Sequence, residues 1–296
     1  MQAIINQLKA LMKEHDLSQI QVARAVGVST ATINQFIKGT YPGDNKKIAN
    51  QVQQFMARYT ERKEVQTGVF NFVITKTVKK MLEVIHIAHI ENEINVICGK
   101  AGLGKTEALK HYKTQNKNAI LIETDPGYSA KAILELLCEA LNIQQEKTTH
   151  SAVNACIREL KGSDKVLLID EAENLPLKSL ELIRRIHDKA GVGVILSGTH
   201  RLIVNLKGKK GEYAQLYSRV GMLLQIGNML PDDDINSIIE NAGYQDDVAE
   251  ALFTASLGSC RRLGKLFKLL KRMARLNNGV ASAAMVQQCA KQLVNN

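Results

Sequence analysis

Eight residues, Gly99-Lys100-Ala101-Gly102-Leu103-Gly104-Lys105-Thr106, limit the fold of this chain more than any other stretch. They follow a β-type run, INVIC (94–98), and lead into a helix-forming one, TEALKHYK. A strand that turns through glycines straight into a helix belongs to a parallel α/β sheet. The spacing is GxxxxGK[ST], that of a phosphate cradle. Glycines let backbone N–H groups turn inward around β- and γ-phosphates, and the helix N-terminus adds the positive end of its dipole. Lys105 is expected to bridge phosphate oxygens, and the Thr106 hydroxyl to ligate Mg²⁺.

About 65 residues further on stands Lys165-Val-Leu-Leu-Ile-Asp170-Glu171. Four apolar residues predict a buried strand, with Asp170 at its end placed to hold Mg²⁺ through water. Glu171 is placed to orient and deprotonate an attacking water. Loop and acidic pair together predict ATP hydrolysis rather than phosphorylation of a small molecule. Further apolar runs at 119–123, 191–197 and 221–226 alternate with helical patterns near 105–116, 129–142, 151–161, 177–189 and 200–206. Continuous Val/Ile/Leu runs separated by helices predict a parallel sheet covered on both faces. From Pro231 onward only helical patterns remain; proline followed by three aspartates is a helix start.

The phosphate loop, the Asp-Glu pair and the all-helical C-terminal part together resemble an AAA+ ATPase, a parallel five-stranded sheet with a helical lid. The resemblance implies further positions. A polar residue after the fourth strand contacts the γ-phosphate and water; in GVILSGTHR this is Thr199, with Ser197 second. An arginine before the fifth strand, Arg219, reaches a neighbouring subunit's site. An arginine in G-x-x-R on the lid senses nucleotide; Gly258-Ser259-Cys260-Arg261 fits, with Arg262 adjacent.

Residues 17–39, LSQIQVARAVGVSTATINQFIKG, resemble the helix-turn-helix of phage-repressor-like proteins. Ser18 and Ser29 are placed as N-caps, Ala23 is small at the helix crossing, and Gly27 permits a left-handed turn. Ile33 and Ile37 are expected to face the core. That leaves Thr30, Thr32, Asn34, Gln35 and Lys38 for groove or backbone. Without an arginine in this helix, bidentate guanine reading is not expected, so specificity is weak.

Charge adds a second DNA candidate. The chain carries 39 basic and 29 acidic side chains, a net +10. Residues 231–250 hold seven acids and no Lys or Arg, whereas 256–296 hold eight bases and no acid. Arg261, Lys265, Lys268, Arg272 and Arg275 step by four and three residues, forming one helical stripe opposite Leu263, Leu266, Phe267, Leu270 and Met273. Such a stripe either grips several phosphates or pairs with the acidic segment. Lys207, Lys209 and Lys210 form another basic cluster between the fourth and fifth strands. Thirteen aromatics and no Trp are few for a single-strand stacking platform, so duplex DNA is the expected partner.

The expected organisation is a helix-turn-helix domain (1–65), an AAA+ core (66–228) and a helical lid or DNA-binding bundle (229–296), with Arg58 to Glu64 as a polar link. This order resembles the transposition ATPases of Mu-like phages and prophages. That resemblance implies ATP with Mg²⁺, double-stranded DNA bound with little sequence preference, a transposase partner, and self-assembly into ATP-dependent filaments or rings. A helicase-loading ATPase and an ATP-switched DNA-binding regulator are the alternatives. No signal-peptide layout, membrane span or paired-cysteine pattern is read, so a cytoplasmic protein without a membrane partner is expected.

Overall fold

The computed structural model describes residues 1–66, 72–144, 146, 148–208, 214–277 and 279–294. They fall into two compact units, Met1–Val69 and Phe70–Asn296.

The first unit contains α1 (Gln2–Glu14), α2 (Gln19–Val26), α3 (Thr30–Lys38) and α4 (Asn45–Gln66). Its core joins Ile5 and Leu8 of α1, Val22 and Ala23 of α2, Ile33 and Phe36 of α3, and Ile48, Val52 and Phe55 of α4. The polar stretch 58–64, expected as a link, lies inside α4. No glycine or proline interrupts it, so the helix runs on past its buried face.

In the second unit the chain runs α5 (Lys76–Glu91), β1 (Ile94–Gly99), α6 (Lys105–Gln115), β2 (Ala119–Glu123), α7 (Ala130–Ala140), α8 (Thr149–Leu160) and β3 (Val166–Asp170). It continues through α9 (Leu177–Ala190), β4 (Gly193–Gly198), α10 (His200–Lys207), α11 (Ala214–Tyr217) and β5 (Val220–Gly227). Four helices finish it: α12 (Asp232–Asn241), α13 (Asp246–Ser256), α14 (Cys260–Leu276) and α15 (Ala283–Gln292). The strands pair in parallel in the order β2-β3-β4-β1-β5. Every residue of β1, β3 and β4 is buried, because helices cover both faces. Leu167 and Ile169 enter one core, Val166 and Leu168 the other.

The lid has its own core, in which Leu103 of the phosphate loop packs with Leu230, Ile235, Leu263 and Phe267. Helix α5, not foreseen from the sequence, packs on one face of the sheet, where Met81, Ile85 and Ala88 share a core with Ile97, Leu168 and Ile195. The Asp234 carboxylate, 1% exposed, accepts from the Lys76 and Thr77 amides at 3.0 and 3.1 Å, so α12 caps the first turn of α5. Asp233 pairs with the exposed Lys76 ammonium at 2.7 Å. Asp234→Ala strands two amide donors and is expected to lower stability by about 1–3 kcal/mol, read as a lower urea midpoint. Asp233→Asn should leave that midpoint nearly unchanged, since both partners are in water.

Candidate nucleotide site and nucleic-acid surfaces

Gly102 and Gly104 have φ of +86° and +89°, a left-handed region open to glycine at little cost. A side chain at Gly102 would also meet Ser259 and Arg261 of the lid, each 3.0 Å from its Cβ position. Glycine here therefore serves both the turn and the close approach of the lid. Gly99 ends β1, and the Lys100 amide donates to the Gly227 carbonyl at 3.0 Å, tying the loop to the end of β5. Ala101 and Lys100 are exposed, whereas Leu103 is buried and anchors the loop in the lid core.

Lys105 begins α6, and its ammonium donates to the Gly99 and Lys100 carbonyls at 2.8 and 3.0 Å. Burial pushes it below the ordinary lysine value; the Asp170 and Glu173 carboxylates oppose that shift. The ammonium thus sits inside the loop that a triphosphate would enter, held by weak acceptors that phosphate oxygens can replace.

The Thr106 hydroxyl donates to Asp170 Oδ2 at 2.5 Å, and the Ser197 hydroxyl donates to Asp170 Oδ1 at 2.9 Å. Asp170 is 2% exposed, and all three residues lie at C-terminal strand ends or the adjoining helix start. A hydroxyl and a carboxylate oxygen in direct contact beside a phosphate cradle are a donor set that fits Mg²⁺. Among the described residues no group of three or more His, Cys, Asp or Glu is gathered for a metal. A cation here would need phosphate and water to complete its shell.

Glu171 is exposed, with φ +52°, and accepts from the Asn174 side-chain amide at 3.2 Å. The Thr124 hydroxyl, just past β2, donates to the Asp170 and Glu171 carbonyls at 2.9 and 2.8 Å. Thr124, Asn174 and Ser197's contact with Asp170 escape a linear reading, because parallel register brings these strand ends together. Thr199 is half-buried at the N-cap of α10; its side chain makes no capping bond, while its amide donates to Glu173 Oε1 at 3.1 Å.

The two lid arginines separate cleanly. Arg262 donates to the Ala255, Ala290 and Val294 carbonyls at 2.6, 3.3 and 3.1 Å, clamping α13 and α15. Arg261 is exposed, and its amide donates to the Gly102 carbonyl at 3.2 Å. Beside it a cavity of about 110 Å³ is lined by Lys100, Ala101, Ser259, Arg261 and Lys265. A larger cavity of about 640 Å³, between α7 and α8, shares no residue with the phosphate loop. Arg219, directly before β5, is 55% exposed and its Nε meets Asp188 Oδ1 at 3.3 Å.

On α14, Lys265, Lys268, Arg272 and Arg275 are all exposed, and Leu263, Leu266, Phe267 and Leu270 are buried. The ion pairs of the described residues do not join Lys265 or Lys268 to the acidic segment 231–250; Asp233 and Asp234 instead engage the start of α5. Lys207 ends α10 with its ammonium 4.8 Å from the Tyr217 ring centre. Lys209 and Lys210 lie outside the described residues.

In the first unit, the Ser18 hydroxyl accepts from the Gln21 amide and the Ser29 hydroxyl from the Thr32 amide, at 3.2 and 3.0 Å, and Gly27 has φ +81°. Phe36, not Ile37, is the second fully buried residue of α3; Ile37 is half-buried. Ile37 packs against the same core from its edge, as its spacing from Ile33 predicts. Thr30, Gln35 and Lys38 are exposed, Asn34 is half-buried, and Thr32 Oγ1 lies 2.9 Å from Ser29 Oγ.

An AAA domain family matches residues 90–204, and a helix-turn-helix family residues 8–44. The ORC2 protein of Aeropyrum pernix superposes with a TM-score of 0.59 at 15% identity, over 77% of this chain and 70% of that one. A RuvB mutant from Thermotoga maritima gives 0.53 at 19% identity, over 76% and 71%. Sheet order, phosphate loop and helical lid make the chain an AAA+ ATPase. The ATP-dependent target DNA activator B of Escherichia phage Mu is 30% identical over 239 residues, 79% of this chain and 75% of its own. The Mu-like prophage FluMu DNA transposition protein B of Haemophilus influenzae is 30% identical over 226 residues, 73% and 77%. The chain belongs to this family of phage B transposition proteins. Among its described residues no helix is long and apolar enough to cross a membrane.

Proposed function

We propose that this ATPase binds duplex DNA with little sequence preference, assembles on it as an ATP-dependent filament, and delivers the coated target to a transposase. The observation that carries this reading is α14. Its N-terminus touches the phosphate loop through Arg261 and Gly102, and its exposed face is a run of cations. A change of nucleotide at one end of a rigid helix is thereby felt by the surface that grips phosphates. The relatives' names, which couple ATP to target DNA and to transposition, support the same partners.

In this reading Lys105 holds the β- and γ-phosphates, Thr106 and Asp170 hold Mg²⁺, and Glu171 deprotonates water. Thr199 contacts the γ-phosphate, Ser197 orients Asp170, and Arg261 senses the nucleotide. Arg219, kept at the surface by Asp188, completes a neighbouring copy's site. Residues 1–65 form a DNA-binding domain that touches DNA through Thr30, Thr32, Asn34, Gln35 and Lys38. Residues 66–228 form the ATPase core and 229–296 the lid. Bound ATP, bridged between copies, favours the array; hydrolysis removes that preference.

Binding is tested on random-sequence duplex and single strand, with and without ATP, across a salt series. Tight duplex binding is expected only with ATP. A preference for single strands would favour a helicase loader, and ATP-independent binding to one operator a regulator. Replacing Lys265, Lys268 and Arg272 together by alanine is expected to reduce the slope of log K against log salt by about 2 to 3. An unchanged slope would assign the stripe to contacts within the chain.

A further inference from the structure

Glu173 lies in the short 3-10 turn Ala172–Asn174, directly beyond the acidic pair. Its backbone carbonyl accepts from the Asn205 side chain at 3.0 Å, and its Oε1 accepts the Thr199 amide at 3.1 Å. Its Oε2 is buried with no hydrogen-bond partner among the described residues. A Cβ added at Gly198, the last residue of β4, would collide with that oxygen, so glycine is what lets the carboxylate lie under the strand end. Glu173 is also within electrostatic reach of Lys105 and Cys98, at the root of the phosphate loop.

In a capping box the amide of the N-cap residue is taken by a Glu or Gln at N3; α10 has Leu202 there, and Glu173 supplies the acceptor instead. Here an acid reaches across from another element and leaves one oxygen buried without a donor among the described residues, an arrangement that costs stability. Packing alone therefore does not account for it. What the carboxylate does is hold the β4–α10 turn, whose only hydroxyl side chain past the strand is Thr199.

We infer that Glu173 is a positioning residue for ATP hydrolysis, fixing the turn that presents Thr199 to the γ-phosphate. The inference rests on the role given to Thr199 above. The test uses the full chain with duplex DNA, measuring kcat, KM and affinity for a fluorescent ATP analogue. Glu173→Ala is expected to lower kcat about tenfold while KM and analogue affinity stay within about threefold, since misplacing a reacting partner by an ångström costs rate more than binding. Glu173→Gln, which keeps an acceptor for the Thr199 amide, should recover most of kcat. Gly198→Ala, which displaces the carboxylate, should reproduce the deficit of Glu173→Ala, and the double variant should be no worse than either.

Wild-type kcat in Glu173→Ala would overturn the inference. So would a Gln variant as slow as the Ala variant, or kcat and KM losses that simply follow a fall in melting temperature. If Glu173→Ala does not fold, the Gln and Gly198→Ala variants decide alone. DNA assembly by the unmutated chain in the same buffers reports separately on the filament reading, which fails if no ATP-dependent array forms, whatever these kinetics show.

Discussion

Lys105→Ala is expected to remove ATP binding and DNA assembly together. The Lys105 ammonium is buried in the phosphate loop, where it donates to the Gly99 and Lys100 carbonyls, whereas Lys100 is exposed. A hydrogen bond to a charged group contributes about 1.5–3 kcal/mol. Losing two to a triphosphate corresponds to roughly two to four orders of magnitude in affinity. The fold should survive, because removing the buried ammonium also removes its desolvation cost. Equilibrium binding of a fluorescent ATP analogue checks the affinity, and electron micrographs with long duplex and ATP check the assembly. Filaments formed by this variant would show that nucleotide does not join the subunits.

Glu171→Gln should separate binding from turnover. Gln is isosteric, accepts from Asn174 as Glu does, and tolerates the left-handed backbone at 171 no worse. It cannot take a proton from water, and loss of a general base lowers kcat by about 10² to 10⁴. ATP and DNA binding should remain, so arrays form and do not disassemble. Phosphate release at the wild-type rate would remove Glu171 from the reaction. Its carboxylate accepts from the Asn174 side-chain amide at 3.2 Å.

Local chemistry made much of the site readable. GKAGLGKT and VLLIDE specify a turn, a strand and a helix start from glycine freedom, apolar continuity and charge placement, all properties of neighbouring residues. The same holds for the Ser18 and Ser29 caps and the Gly27 turn. Strands β2 and β3 fall where continuous apolar runs put them, at 119–123 and 166–170. Helix α5 has a legible helical period, with Val78, Met81, Val84, Ile85 and Ala88 buried and Lys79, Lys80 and Glu83 exposed, whereas the far end of α4 has little apolar periodicity beyond Phe55.

Residue types and short-range spacing were enough to define a phosphate loop, its acidic partners and a cationic lid helix, because each depends on neighbours a few bonds apart. Distances between strand ends are a different matter. Ser197 against Asp170, Glu173 beneath Gly198, Asp234 capping α5, and Arg262 rather than Arg261 locked into the lid all join residues far apart in the chain. Those contacts arise from parallel register and lid packing, which depend on the free energy of burying whole faces at once rather than on any local preference.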